Sequence, residues 1–277
     1  MNTTHDNPIK KLPDYHFHTS LCKHAKGELR DFAHSAGIKG IPEICCTDHA
    51  PNPDGLDPKH RMALGQYPLY KAAFEELKDS KSPEILFGIE ADYYNGCEAF
   101  LKKWLAEEPF DFVLGSVHSI EGWSFDHPSE RYLWDSVDIL ATWKNYFDVV
   151  AKLVDTGLFD AVSHFDLPKK FVHRPQDKAL KEIVAPLLDR MTASGIGIEI
   201  NTSGLRKPVK EIYPSPLILE MACEREIPIC FGSDSHSPEE MGSDFDKALA
   251  MVREVSYTHF FRIKNRKKEM VPLPETA

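Results

Sequence analysis

Seven short, β-favouring apolar runs divide the chain, each followed by a segment of helical length, and that alternation limits the fold more than any other feature. The runs are residues 12–17, 41–46, 84–89, 110–117, 159–163, 195–200 and 227–231. After them come residues 28–36, 67–77, 98–105, 139–154, 178–191, 216–226 and 238–255, with apolar side chains at three- and four-residue spacing. Ser215 and Ser237 stand as N-caps before Pro216 and Pro238, where a first helical turn tolerates proline. Strand alternating with helix predicts a parallel α/β sheet covered by helices. The 277 residues contain no internal repeat, low-complexity tract or Gly/Ser linker, so one domain over residues 1–277 is expected. Residues 50–65 and 119–136, rich in Pro, Gly, Asp and His, read as long loops that come directly after strands.

The C-terminal end of each run carries the chemistry. The first ends in His16-Phe17-His18, with His24 six residues on, and the second in Thr47-Asp48-His49. The third ends at Glu90, the fourth at His118, and the fifth at Ser163-His164-Phe165-Asp166. The sixth continues through Glu199 to Arg206, and the seventh gives Asp234-Ser235-His236. In parallel α/β folds ligands collect at the C-terminal ends of strands. An open sheet would string seven such ends along a line at about 4.8 Å per strand, whereas a closed one gathers them round a single mouth. The pattern therefore predicts a barrel. Alternation points His16 and His18 to one face and Phe17 to the other, and Asp234 with His236 repeats that geometry. One such pair is explicable as packing. Two pairs, with single donors after four other strands, would be costly to gather without cations, so they predict a metal site.

Charge and composition narrow the partners. The chain has 43 acidic against 33 basic residues, a net charge of −10. A nucleic-acid reader would show a basic footprint; the one dense basic run, residues 262–268, reads as a solvated face. No apolar run approaches the ~18 residues needed to span a bilayer, and residues 1–10 are too polar for a signal peptide. The six cysteines form no Cys-x-x-Cys pair, and Cys45 and Cys46 read as strand core. A soluble protein of a reducing, cytoplasmic compartment is expected, with no nucleic-acid or membrane partner.

The motifs His16-x-His18, His24, Thr47-Asp48-His49, Gly88-Ile89-Glu90, Gly115-Ser116-Val117-His118, Ser163-His164-Phe165-Asp166 and Gly232-Ser233-Asp234-Ser235-His236 resemble those of the polymerase-and-histidinol-phosphatase superfamily. Cys22-Lys23-His24-Ala25-x-Gly27 and Asn201-Thr202-Ser203-Gly204-Leu205-Arg206-Lys207 bring the resemblance closest to the histidinol-phosphate phosphatases. It spans residues 14 to about 241. The resemblance implies a distorted (β/α)7 TIM-like barrel with three divalent metal ions at its mouth. One ion would take His16, His18, Glu90 and Asp234; a second His118 and His164, with Glu90 as a bridge; the third His24, His49 and His236. A donor set of imidazoles and two carboxylates suits zinc first, or iron or manganese, and disfavours calcium and magnesium.

The implied activity is hydrolysis of L-histidinol phosphate to L-histidinol and inorganic phosphate, a step of histidine synthesis, by in-line attack of a hydroxide shared between two ions. Three dications outweigh two carboxylates, which matches the site to an anionic ester. Arg206 is expected to clamp the phosphate, with Lys169 or Lys170 as further candidates for that task. Asp48 is expected to orient a histidine or to protonate the leaving group, and Asp166 to orient His164. Asp54, Asp57, Glu121 and Asp126 of the long loops are candidate partners for the amine and imidazole of the leaving alcohol. Competing readings are a phosphoesterase for another small monoester (a sugar or nucleotide phosphate), a nuclease module disfavoured by the acidic balance, and a metal-holding protein without turnover.

Overall fold

In a computed structural model, which describes residues 11–275, six strands pair in parallel in the order of the chain. They are β1 (Glu43–Cys46), β2 (Glu84–Asp92), β3 (Phe112–Ser116), β4 (Ala161–Val162), β5 (Gly197–Asn201) and β6 (Ile229–Gly232). Every residue of β1, β3, β5 and β6 is buried, as parallel strands covered on both faces require. Helix α1 (Leu29–Lys39) precedes β1, and α2 (Tyr67–Leu77), α3 (Glu98–Glu107), α4 (Ile139–Asp155), α5 (Asp177–Ser194) and α6 (Pro216–Cys223) are the crossovers between successive strands. A last helix, α7 (Phe245–Glu254), comes after β6. Among the described residues no helix is long and apolar enough to cross a membrane. The reading of residues 1–10 lies outside the described residues.

Six regular strands stand where seven were expected. The run at 12–17 makes only isolated parallel bridges, Asp14 with Ile44 and Phe17 with Ser235. Its backbone nevertheless bonds to both outer strands. Asp14 N–H donates to Glu43 O (3.0 Å) and Cys45 N–H to Asp14 O (2.9 Å), while Tyr15 N–H donates to Phe231 O (3.0 Å). Two features keep it from forming a regular ladder. Pro13 has no N–H to give, and the Asp14 carboxylate takes the Ser233 N–H (2.8 Å) and the Gly242 N–H (2.9 Å) for itself.

Side chains alternate between two apolar regions. Ile44, Cys46, Phe87, Ile89 and Val113 pack outward with the helices, where Phe17 stacks on Phe32 at 4.9 Å. Tyr15, Cys45, Leu86, Phe112, Leu114, Ala161 and Cys230 form a separate inner cluster. That cluster is completed by a hairpin, β7 (His259–Lys264) and β8 (Lys267–Pro272), whose Phe261 and Ile263 enter it. The basic side chains of residues 262–268 are largely exposed, as the sequence reading has it, but they sit on a hairpin that the reading did not foresee. Arg262 pairs with Glu43, Lys264 with Glu84 (2.5 Å) and Arg266 with Asp160 (2.5 Å), all at the N-terminal ends of the sheet. The turn residues Asn265 and Arg266 both have positive φ (50° and 60°), as a two-residue hairpin turn demands.

Two further expectations change. The segment 238–255 is not one helix: a single 3-10 turn at Pro238–Glu240 is separated from α7 by Gly242 and Asp244, both at φ 61°. A Cβ at Gly242 would lie 2.8 Å from Ile41 Cδ1, so the chain turns where only glycine fits. The loop expected at 119–136 carries a 3-10 helix, Pro128–Ser136, anchored by buried Trp134, whose Nε1–H donates to Phe125 O (2.7 Å).

Phe261 is fully buried, and a Cβ at Gly197 would come within 2.5 Å of its ring. Phe261→Ala is expected to lower unfolding free energy by about 3–5 kcal/mol in a denaturant titration. A loss below about 1 kcal/mol would show that the hairpin does not complete the core.

Candidate metal centre

Glu90, on β2 and wholly buried, is the hub of the strand ends. Its Oε1 lies 3.1 Å from His164 Nε2 and 3.8 Å from His118 Nε2. Its Oε2 lies 2.9 Å from His49 Nδ1, 3.5 Å from His16 Nε2 and 3.6 Å from His18 Nε2. Asp234 Oδ1 is 3.3 Å from His18 Nε2, 3.8 Å from His16 Nε2 and 3.5 Å from His236 Nδ1. His24 and His236 meet through their Nε2 atoms at 2.9 Å. All nine donors singled out in the sequence thus lie in one cluster. Within it, the donor atoms of His16, His18 and Glu90 lie within 4.8 Å of one another, as do those of Glu90, His118 and His164 and those of His24, His49 and His236.

Whether these residues suit cations can be read from their hydrogen bonds. His24 Nδ1 faces Cys22 O (2.9 Å) and His236 Nδ1 faces Asp234 O (3.1 Å); a carbonyl only accepts, so both Nδ1 atoms carry the proton. Partial desolvation and the neighbouring His18 hold His24 down at about 4 although the residue keeps exposed surface, and burial depresses His236 as well, so both rings are neutral at pH 7. Their two Nε2 lone pairs therefore point at each other. The neighbouring pair is different: His127 Nδ1 accepts from Ser129 N–H (3.2 Å), leaving Nε2–H to donate to His60 Nε2 at 3.2 Å. Glu90 Oε2 and His49 Nδ1, though 2.9 Å apart, form no aligned hydrogen bond, and both are buried without another partner, as is His18 Nδ1. Opposed lone pairs and an orphaned buried carboxylate oxygen are what a cation would satisfy. The residues fit.

Carboxylates behind the cage fix the rings, and the sequence reading gave Glu199 and Asp92 no such role. His16 Nδ1–H donates to Glu199 Oε1 (2.6 Å), while Glu199 Oε2 accepts His164 N–H and Asn201 Nδ2–H, each at 2.9 Å. His118 Nδ1–H donates to Asp92 Oδ1 (2.6 Å), and Asp92 Oδ2 holds buried Arg61 at 2.5 Å. Such outer partners turn the free nitrogen of each ring inward. Strand alternation contained the signal: Asp92 is two residues beyond Glu90, and Glu199 two before Asn201. Burial alone would raise the Glu90 pKa, yet the imidazoles hold it well below the usual carboxylate range. Burial keeps His49 neutral, down at about 3. Burial also opposes charge on His118, but Asp92 overrides it and lifts the ring to about 10.

The cage opens on a cavity of about 630 Å³ between the loops. Asp57, His60, Asp126, His127 and Glu130 line it, together with Lys170, Ser203, Lys207 and Tyr213. Of the expected phosphate contacts, Lys170 borders this mouth and pairs with Asp126 at 2.9 Å. Lys169 does not: it is buried against Ile212 O (2.7 Å), Asp166 (3.1 Å) and Glu211 (3.3 Å). Arg206 braces the turn carrying Asp234, donating to Ser233 O at 2.6 Å, with Nη1 left unpaired. Asp48 sits behind His18, 3.8 Å from its Nδ1, and accepts from Thr19 N–H (3.1 Å) and Thr19 Oγ1–H. It orients a ring and does not border the mouth. Asp166 accepts the Ser215 N–H (2.9 Å) before α6 instead of holding His164. Of the four loop acids, Asp57 and Asp126 line the mouth, while Asp54 and Glu121 do not.

A profile of the PHP domain matches residues 14–203, more than half of the chain. The chain belongs to the PHP domain family. Asp234 and His236 lie C-terminal to the matched segment. This PHP protein is 38% identical over 246 residues to the "Probable histidinol-phosphatase" of Deinococcus radiodurans, covering 88% of this chain and 94% of that one. It is 28% identical over 264 residues to the histidinol-phosphatase of Bacillus subtilis, covering 85% and 97%. It shares its fold with the histidinol phosphate phosphatase of Lactococcus lactis, solved with zinc, L-histidinol and phosphate. The TM-score is 0.76 at 21% identity, over 94% of this chain and 99% of that one.

The sign of a pH effect is set by His118. With its pKa lifted to about 10, the metal-free ring holds a proton at pH 7, and a cation has to displace it. Zinc added to metal-free protein in lightly buffered solution at pH 7 is expected to release protons, and apparent affinity to rise from pH 6 to pH 8. Binding with no proton release would contradict this arrangement.

Proposed function

We propose that this PHP protein hydrolyses L-histidinol phosphate to L-histidinol and inorganic phosphate, as a single closed barrel unit whose mouth holds three divalent ions, zinc first among the candidates. The observation that carries the reading is the ring of imidazoles around Glu90, opening on a mouth lined by both lysines and loop carboxylates. The names of the relatives from D. radiodurans and B. subtilis support the substrate, as does the ligand of the L. lactis protein. The bonds of residues 14–18 to both outer strands support a seventh barrel element. Six free cysteines support a reducing, cytoplasmic setting. The acidic balance favours a small phosphate monoester over nucleic acid as partner.

His16, His18, Glu90 and Asp234 would hold one ion, Glu90, His118 and His164 a second, and His24, His49 and His236 the third. Ions held there would lower the pKa of water from ~16 towards neutrality and offset the charge of phosphate oxygens. The chain's own groups do the rest. Glu199 and Asp92 keep the Nδ1 protons of His16 and His118 in place, so that the inward nitrogens remain donors of lone pairs. Lys170 lines the mouth and would favour a phosphate dianion, and Arg206, which braces the Asp234 turn, would add to the positive field behind it. Asp57, Asp126 and the His60–His127 pair face the remaining volume, where the amine and imidazole of the alcohol would lie. The two long loops restrict water there.

Phosphate release from L-histidinol phosphate, set against a panel of sugar and nucleotide monophosphates, tests the substrate. The expected kcat/KM advantage is about a hundredfold or more, because a site that hydrogen-bonds a leaving group rejects substrates lacking it. Equal rates across the panel would refute the specific substrate and leave a general phosphomonoesterase.

A further inference from the structure

Lys207 takes no part in the contacts that hold the cage together. It comes directly after Arg206 and the 3-10 turn Thr202–Arg206, and its half-buried side chain lines the mouth beside Ser203, Tyr213 and Asp234. The other cations that line this cavity are accounted for. Arg61 is held by Asp92 at 2.5 Å, Lys170 by Asp126 at 2.9 Å, and Lys59 is exposed at the rim. Two further cations are engaged as well: Lys169 by Ile212 O, Asp166 and Glu211, and the preceding Arg206 by Ser233 O and Glu240 (3.4 Å). Lys207 Nζ makes no hydrogen bond or ion pair among the described residues. The charges around it are Asp234, Lys170, Arg206 and Glu240. Asp234 is the one of these directed into the cage, so ions bound there compete with Lys207 for it.

We infer that Lys207 is a phosphate-binding residue, whose ammonium pairs with an oxygen of the substrate's phosphoryl group and of the inorganic phosphate product. A half-buried ammonium without a counter-ion is retained at a cost in solvation, and an anion brought by the ligand removes that cost. Ser203 stays bound to Asp234 Oδ2 (2.9 Å), which ties the turn before Lys207 to the cage. As a flexible point charge, lysine can track the phosphoryl oxygens from ester to free phosphate, which a bidentate arginine would resist. The assignment deepens the phosphatase reading and rests on it for the identity of the ester.

Binding of inorganic phosphate to the metal-loaded protein, measured by calorimetry, tests Lys207 directly. Lys207→Met is expected to weaken phosphate binding about tenfold to hundredfold, the loss of one charge-assisted contact, with metal content unchanged. Lys207→Arg, which keeps the charge, is expected to recover most of that loss. An unchanged phosphate Kd in Lys207→Met, or a loss that tracks lost metal, would overturn the assignment. The two readings separate cleanly. If the parent protein released no phosphate from L-histidinol phosphate, the substrate would fall, while the calorimetric comparison would still decide Lys207.

Discussion

A carboxylate with no exposed surface, ringed by five imidazoles, is the constraint on which the rest of this structure depends. Glu90 could not remain ionised there without nearby positive charge, and its Oε2 has no aligned hydrogen bond to offset desolvation. Protons on the imidazoles can serve in part, and His118 is poised to hold one. Protons cannot serve throughout, since His24 and His49 are held neutral by desolvation and by neighbouring imidazoles, and the His24–His236 contact opposes two lone pairs. Divalent ions would resolve the whole cluster at once. The outer carboxylates Glu199 and Asp92 then act as braces, fixing which nitrogen of each ring is free.

The curled parallel sheet separates this polar end from an apolar one along the same inward positions. On β2 they run Leu86, Gly88, Glu90; from β6 onward they run Cys230, Gly232, Asp234. The glycines between are required by what crosses them. A Cβ at Gly88 would stand 2.4 Å from Cys45 Sγ, and one at Gly232 would stand 2.0 Å from Glu199 Oε1 and 2.6 Å from His16 Cβ. At the N-terminal end the β7–β8 hairpin fills the interior with Phe261 and Ile263. Rigidity below and donors above are thus two consequences of one alternation, and the site is held by strands while the loops supply the cover.

Much of this was legible in the sequence because it depends on period and residue type. The crossover helices and six strands arise from apolar spacing, and α2 starts and ends where the spacing predicts. His16 and His18 share a face for the same reason. The irregular first element was hidden, because its departure depends on Pro13 and on where the Asp14 carboxylate reaches in space. The hairpin was hidden by its turn, which uses Asn265-Arg266 in a conformation usually signalled by glycine, and by basic residues that pair with acids far away in sequence. Lys169 and Lys170 are neighbours of the same type that face different surroundings. Only tertiary packing separates a lysine locked to Glu211 from one at the mouth.

The most direct test of the metal-centred barrel is the metal content and placement in the purified protein, by elemental analysis together with anomalous diffraction from crystals. Three divalent ions per chain are predicted, one enclosed by each donor set around Glu90, with loss of phosphate release when all three are stripped. A protein that released phosphate at full rate without metal, or that placed its ions away from Glu90, would contradict it.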